Sequence, residues 1–192
     1  MLGLNLFNWH FTAAQYCSYE IIRLQKLCKI RNLHFSVPEN PDALIEQLPD
    51  SSLTASSTFG EFARQSPARS RFAVVKIHYY EGGWVAGQVD ANQWIQAKFS
   101  SVKAVFKVAT KGRNGVYAQW VTKYQLKYNL SINEADFEYV TSAGGDITTF
   151  DGNIDQDSVV ENEFEVISAR IFRLCPIAWN YHIAMRWEVY GY

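Results

Sequence analysis

The side chains most often used in catalysis are dispersed along this sequence. Its four histidines are His10, His34, His78 and His182, and they are widely separated in the chain. The sequence holds no G-x-S-x-G, H-E-x-x-H, P-loop or G-x-G-x-x-G motif, and no pair of carboxylates can be placed on one face of an element. We interpret His182 as a hydrogen-bonded structural histidine, with a role in ligand binding as the less favoured alternative. These observations predict a protein that is not an enzyme.

The three cysteines do not form a metal or redox motif. Cys17, Cys28 and Cys175 include neither a C-x-x-C pair nor a zinc-ligand spacing. Cys17 and Cys28 could pair only if a turn brought them together, and buried free thiols are the simpler interpretation. The sequence therefore predicts no cofactor.

Composition and charge narrow the classes of partner. The chain is 48% hydrophobic and 19% charged, which favours a packed globular core over disorder. A net charge of −1 lacks the basic excess that is typical of nucleic-acid binding. No run of apolar residues is long enough to predict a transmembrane segment. The first residues also lack the basic region of a signal peptide, so any secretion signal is weak.

The first part of the chain differs from the rest. Thr12 and Gln15 form a T-x-x-Q pattern that resembles a helix capping box. The residues after them place apolar side chains near helical spacing with basic residues between. We predict a short helix within residues 1–38, which is either an extension laid on the domain or a docking helix for a partner or membrane surface. Pro38 and Pro41 mark the boundary.

From residue 39 onward, short strand patterns alternate with turn residues. In residues 123–128 (KYQLKY), Tyr124, Leu126 and Tyr128 share one face and polar residues share the other. The last strand pattern places four apolar residues on one face: Ile183, Met185, Trp187 and Val189. Trp94 and Trp120, like Trp187, are predicted core residues. Many short strands separated by glycine-rich turns favour a β-sandwich or β-barrel.

Several segments, in order and with consistent spacing, resemble one known family. They include residues 48–57 (LPDSSLTASS), 108–113 (VATKGR), 120–124 (WVTKY), 150–155 (FDGNID) and 159–164 (VVENEF). Together they resemble the discoidin domain, also called the coagulation factor 5/8 type C domain, over roughly residues 39–192. The resemblance implies an all-β fold: a jelly-roll β-barrel or sandwich of about eight antiparallel strands, like galactose-binding domains. It also implies a non-catalytic ligand-binding module.

The sequence departs from the family at two places. Family members commonly join their two ends with a disulfide, but the corresponding positions here are Glu39 or Asn40 and Tyr192. The barrel must therefore be stable without that bond. Residues 72–81 (FAVVKIHYYE) are longer and more apolar than the usual family connection, and their structure is left open.

The resemblance places the ligand site on three loops at the end of the barrel away from its termini: residues 59–64, 84–92 and 113–118. The ligand-binding residues that it implies are Phe62, Arg64, Trp84, Arg113, Asn114, Val116 and Tyr117. Trp84 is also interpreted as a half-buried support, and Arg113 as a possible brace of its loop. Arg186 is expected to hold loops rather than to contact ligand.

Aromatic faces with planar donors suit a sugar, and apolar tips above cations suit an anionic phospholipid. Glu61 next to Phe62 disfavours an anionic bilayer, so we predict a cell-surface adhesion module that recognises galactose- or fucose-type glycans. Phospholipid headgroups such as phosphatidylserine, and an extracellular protein partner, are the alternatives. Calcium is used by some relatives, but no calcium site can be assigned here. The family implies an extracellular or cell-surface location.

Overall fold

The computed structural model describes residues 40–60, 63–80 and 82–192. The helix predicted within residues 1–38 lies outside these ranges. The described residues form nine strands: β1 (Asp42–Ala43), β2 (Leu53–Ala55), β3 (Trp84–Val85), β4 (Ile95–Lys111), β5 (Trp120–Asn129), β6 (Glu138–Tyr139), β7 (Thr149–Asp151), β8 (Val160–Asn180) and β9 (Ala184–Gly191). Their helical turns are three short 3-10 segments, Asp50–Ser52, Ala63–Gln65 and Pro67–Ser70. Within the described ranges, no helix has the length and apolar character needed to cross a membrane.

All strand pairs are antiparallel, and the long pair β4–β8 organises them into two layers. Lys103 to Thr110 of β4 pair with the first half of β8, whereas Ile95 to Lys98 pair with its second half. A register shift between Lys98 and Lys103 marks the bend between these parts. One layer is therefore β1-β9-β4-β8, and the other is β2-β4-β8-β5 with β6 and β7 beside β5. The all-β sandwich predicted from the sequence is confirmed.

The inner faces of the two layers share one core, as strand alternation requires. Tyr124 and Leu126 of β5 are fully buried, as their alternation predicted. A series of aromatic contacts crosses from β7 to β9, ending where Phe172 stacks on Trp187 with ring centroids 6.5 Å apart. Trp94 and Trp120 are only half-buried, which corrects their prediction as core residues. Trp94 lies one residue before β4, and the guanidinium of Arg173 covers its ring at 3.9 Å from the centroid.

Backbone pairing and one buried carboxylate close the end of the sandwich where β1 meets the end of β9; we call this the closed end. Asp42 pairs with Gly191, and Tyr192 exchanges two backbone hydrogen bonds with Ala104, at 3.0 and 3.1 Å. The Glu188 carboxylate, 2% exposed, accepts backbone N–H bonds from Ile45 (2.6 Å), Glu46 (3.0 Å) and Val189 (2.8 Å). Burial raises the pKa of Glu188, and these donors oppose the rise. These contacts join the β1 region to β9 at the end where relatives commonly carry a disulfide.

Candidate ligand-binding site

The opposite end, which we call the loop end, gathers the loops that the sequence analysis selected. The end of β4, the start of β5, the end of β8 and the start of β9 all reach it, as their pairing shows. A cleft with a volume of about 260 Å³ opens there. Its lining residues come from four separate parts of the chain: Phe59, Gln65, Val85, Arg113, Tyr117, Gln119 and His182.

Arg113 organises one wall of the cleft. It lies two residues beyond the end of β4, and its backbone N–H donates to the Gln119 carbonyl at 3.0 Å. Its guanidinium donates to the Gln119 side-chain oxygen and lies 4.6 Å from the centroid of the Tyr117 ring. Tyr117 remains 53% exposed. Arg113 therefore braces its loop and also places a cation beside an accessible aromatic ring.

A second layer of hydrogen bonds holds this loop from behind. The Gln156 side-chain amide donates to the carbonyls of Arg113 (2.9 Å), Gly115 (3.1 Å) and Tyr117 (2.7 Å). Arg186 in turn donates to the carbonyls of Gly112 and Gln156, each at 2.9 Å. Burial lowers the pKa of Arg186, and the nearby Asp157 carboxylate opposes this shift. The prediction that Arg186 holds loops is confirmed.

Phe59 and His182 form the opposite wall. Their rings meet edge to face, with centroids 5.6 Å apart. The Phe59 backbone N–H donates to the Val85 carbonyl at 2.9 Å, and Phe59 remains 50% exposed. The His182 Nδ1 atom lies 3.3 Å from the Ile183 carbonyl oxygen, so the imidazole is oriented by the backbone of the turn between β8 and β9. An exposed aromatic ring beside an oriented imidazole is suited to a ligand with both apolar and hydroxyl surfaces.

The structure places the other predicted residues differently. Trp84 is fully buried, and its indole N–H donates to the Ser57 carbonyl at 3.0 Å. Its prediction as a ligand contact is therefore corrected to that of a support beneath the first loop. Phe62 lies outside the described residues. Arg64 is exposed and stacks over Tyr79, with its guanidinium carbon 5.4 Å from the ring centroid, so it flanks the cleft rather than lining it.

Asn114 and Val116 lie on the Arg113 loop but outside the cleft lining. The Asn114 side-chain oxygen accepts the Lys76 backbone N–H at 2.9 Å, which ties this loop to the preceding connection. Val116 is 75% exposed at the loop tip. The hydrogen bond gives Asn114 a structural role, and the exposed side chain of Val116 remains accessible to a ligand.

Phe59, Gln65, Gln119 and His182 line the cleft but were not chosen from the sequence. Phe59 opens the first predicted loop, so its position was available, but Phe62 was favoured as the loop tip. His182 was interpreted as structural because nothing local distinguishes a histidine that faces a cleft. Its contact with Phe59 joins residues that are far apart in the chain, and no sequence pattern records that contact.

Within residues 40–60, 63–80 and 82–192, no group of three or more histidine, cysteine, aspartate or glutamate side chains could hold a metal ion. The cleft lining itself contains no carboxylate among these residues. The described lining residues supply two aromatic rings, two side-chain amides, a guanidinium and an imidazole.

A rigid β-sandwich that presents a small aromatic and hydrogen-bonding cleft on its loops defines a ligand-binding module. A model of the F5/8 type C domain, the discoidin domain, matches residues 52–189 of this chain. The chain belongs to this family, as its sequence resemblance indicated.

Two curated proteins and one solved structure illustrate what the chain is similar to. It is 37% identical to Discoidin-2 of Dictyostelium discoideum over 109 residues, covering 56% of this chain and 40% of that protein. It is 32% identical to mouse retinoschisin over 107 residues, covering 55% of this chain and 47% of that protein. The crystal structure of recombinant discoidin II of D. discoideum superposes with a TM-score of 0.67 at 26% identity, covering 79% of this chain and 59% of the other. The matched region is thus about half the length of the curated relatives.

Proposed function

We propose that this chain is a non-catalytic lectin-type module that binds glycans of the galactose or fucose type through the cleft at its loop end. The observation that carries the proposal is the composition of the cleft. Two accessible aromatic rings, Phe59 and Tyr117, stand beside the side-chain amide of Gln119 and the imidazole of His182, with the guanidinium of Arg113, 4% exposed, behind the Tyr117 ring. A sugar ring presents an apolar C–H face and a rim of hydroxyls. The aromatic rings complement the C–H face, and the polar side chains complement the hydroxyls.

The size of the cleft agrees with a small polar ligand. Its volume of about 260 Å³ is below the ~300–1,000 Å³ typical of pockets for drug-sized molecules. The bracing of Arg113 and Tyr117 by Gln156 fixes the donors before binding, which lowers the entropy lost on association. Glycans displayed outside cells would be its partners, so we further propose an extracellular or cell-surface site of action in adhesion.

A second candidate function is binding to anionic phospholipid membranes. Val116 is 75% exposed at a loop tip next to Tyr117, and Arg64 supplies an exposed cation at the same end. Apolar tips above cations are the arrangement expected for an interfacial contact. A protein partner that docks on residues 1–38 is a third hypothesis, which concerns residues outside the described structure.

The test is a glycan-array screen of the 192-residue chain, run beside sedimentation with vesicles that contain phosphatidylserine. We expect saturable binding to galactose- or fucose-terminated glycans. Phe59→Ala and Tyr117→Ala should each weaken it by about tenfold or more, since each removes an aromatic contact. Ile132→Ala, an exposed apolar residue in the loop that follows β5 at the closed end, is the matched control and should bind as the wild type does.

Three results would change this conclusion. Vesicle binding without glycan binding would favour the membrane function. Glycan binding that survives both aromatic substitutions would place the site elsewhere. If the chain binds neither glycans nor vesicles, a protein partner becomes the best hypothesis.

A further inference from the structure

The connection that departs from the family contains a small hairpin beside the cleft. Ile77 and Tyr80 exchange two backbone hydrogen bonds, at 3.0 and 2.9 Å, around a turn made by His78 and Tyr79. His78 has a φ of 52°, in the left-handed region that favours glycine or asparagine. A histidine at this position costs conformational free energy that a glycine would avoid.

This turn displays an aromatic ring that core packing does not explain. Tyr79 is 76% exposed, and Arg64 stacks against it from the side of the first loop. A strained turn that projects an exposed aromatic ring is more readily explained by binding than by stability.

Hydrogen bonds on one side and a stacked guanidinium on the other fix the hairpin at the rim of the cleft. Gly82 and Asn114 exchange backbone hydrogen bonds at 2.7 and 3.1 Å, and the Lys76 N–H donates to the Asn114 side chain. The approach is so close that a Cβ on Gly82 would lie 2.5 Å from the Asn114 Cβ. Asn114 directly follows Arg113, and Arg64 directly precedes Gln65; both neighbours line the cleft. The Tyr79 ring is thus held next to the cleft rather than projecting independently of it.

We propose that Tyr79 is a second sugar subsite, so that the module prefers oligosaccharides of two or more residues to a single sugar. This inference rests on the proposed function and extends it. One sugar residue occupies the cleft between Phe59 and Tyr117. The next residue of the same glycan leaves the cleft over the Asn114 rim and stacks its C–H face on the accessible side of Tyr79. An oligosaccharide is favoured over an unrelated partner because the hairpin is continuous with the cleft and shares its loop.

The experiment is titration calorimetry of the 192-residue chain with two parallel series of probes. One series is galactose, a galactose-terminated disaccharide and a galactose-terminated tetrasaccharide, and the other is the same set ending in fucose. For the wild type we expect the tetrasaccharide to bind about tenfold more tightly than the monosaccharide in at least one series, the size expected for one aromatic contact. Tyr79→Ala should reduce this ratio to about one. Tyr79→Trp should preserve it, because a larger aromatic face still stacks.

The controls separate the inference from the proposed function. Ile132→Ala, at the closed end, should keep the wild-type ratio, and thermal melting should show that each variant is folded. The inference is overturned if sugars bind with no dependence on chain length, or if the ratio survives Tyr79→Ala. It is also overturned if Tyr79 is needed only for binding to phosphatidylserine vesicles. If no member of either series binds, the proposed function itself fails, and the inference fails with it.

Discussion

Replacing Glu188 by alanine should lower the free energy of unfolding more than almost any other single substitution of a charged residue. The carboxylate accepts three backbone N–H bonds, from Ile45, Glu46 and Val189, and it lies where the β1 region meets β9. Alanine leaves the buried N–H groups of Ile45 and Val189 without an acceptor, and each such donor costs ~1–3 kcal/mol; the N–H of the exposed Glu46 can bond to water instead. Removal of the buried charge offsets part of this loss, as the raised pKa of Glu188 indicates. The net loss expected is about 3 kcal/mol in the free energy of unfolding.

Chemical denaturation and thermal melting would measure this loss. For a chain of this size, about 3 kcal/mol corresponds to a fall in Tm of about 6–12 °C. Glu188→Gln keeps one acceptor oxygen in place and should lose about half as much. A loss below about 0.5 kcal/mol in the alanine variant, the size of an ordinary surface substitution, would refute the idea that this carboxylate stabilises the junction between the β1 region and β9.

The same residue makes a pH prediction with a definite sign. The folded pKa of Glu188 is raised, so the folded state holds this proton at pH values where the unfolded chain has released it. The contribution of Glu188 to stability is therefore greatest below its unfolded pKa and falls as the pH rises through its folded pKa. Relative to Glu188→Gln, the wild type should gain stability on acidification from neutral pH. The opposite trend would show that the three donors outweigh burial.

Three further predictions concern other parts of the molecule. His78→Gly should raise the free energy of unfolding by about 0.5–1 kcal/mol, because relief of the ~1–2 kcal/mol that a left-handed conformation costs an L-residue outweighs the ~0.4–1 kcal/mol that glycine adds to the entropy of the unfolded chain; a loss in denaturant titration would mean that the imidazole makes a stabilising contact. The Tyr128 pKa is raised to about 12 by burial and by the hydrogen bond to Glu138, so ultraviolet titration should show this tyrosine ionising late and Glu138→Gln should lower its pKa. Because an unfolded tyrosine ionises near pH ~10, the contribution of Tyr128 to stability should fall from that pH upward. Arg186→Ala removes the donors to Gly112 and Gln156 and should weaken glycan binding while hydrogen exchange in the Arg113 loop speeds up; unchanged exchange would contradict its role as a brace.

Strand alternation predicted much of the core, but it did not predict that two charged residues of β9 are buried. Ile183, Met185, Trp187 and Val189 are all fully buried, as the pattern of β9 predicted. The alternate face of β9 is buried too, because Arg186 and Glu188 find backbone partners in distant segments. A charged residue in a strand pattern normally indicates solvent. Only the tertiary contacts reveal that these two charges lie inside.

The candidate site was predicted at the level of loops rather than of individual side chains. The resemblance selected the loop of Arg113 and Tyr117, and both residues line the cleft because this short loop joins the end of β4 to the start of β5. Trp84 was predicted as a ligand contact and Phe59 was not. In the structure Trp84 is buried and its indole N–H donates to the Ser57 carbonyl, whereas Phe59 lines the cleft. Which aromatic residue of a loop turns outward depends on packing from other parts of the chain, and local sequence does not contain that information.

The bracing by Gln156 has a consequence for how this scaffold can acquire new ligands. Its amide holds the carbonyls of Arg113, Gly115 and Tyr117, and every amino acid supplies such a carbonyl. The backbone shape of the loop therefore depends largely on Gln156, which belongs to a different segment. The outward side chains of Val116 and Tyr117 can change without removing these hydrogen bonds. Libraries randomised at these two positions should retain the backbone of the loop, so that new sugar preferences can be selected without rebuilding the fold.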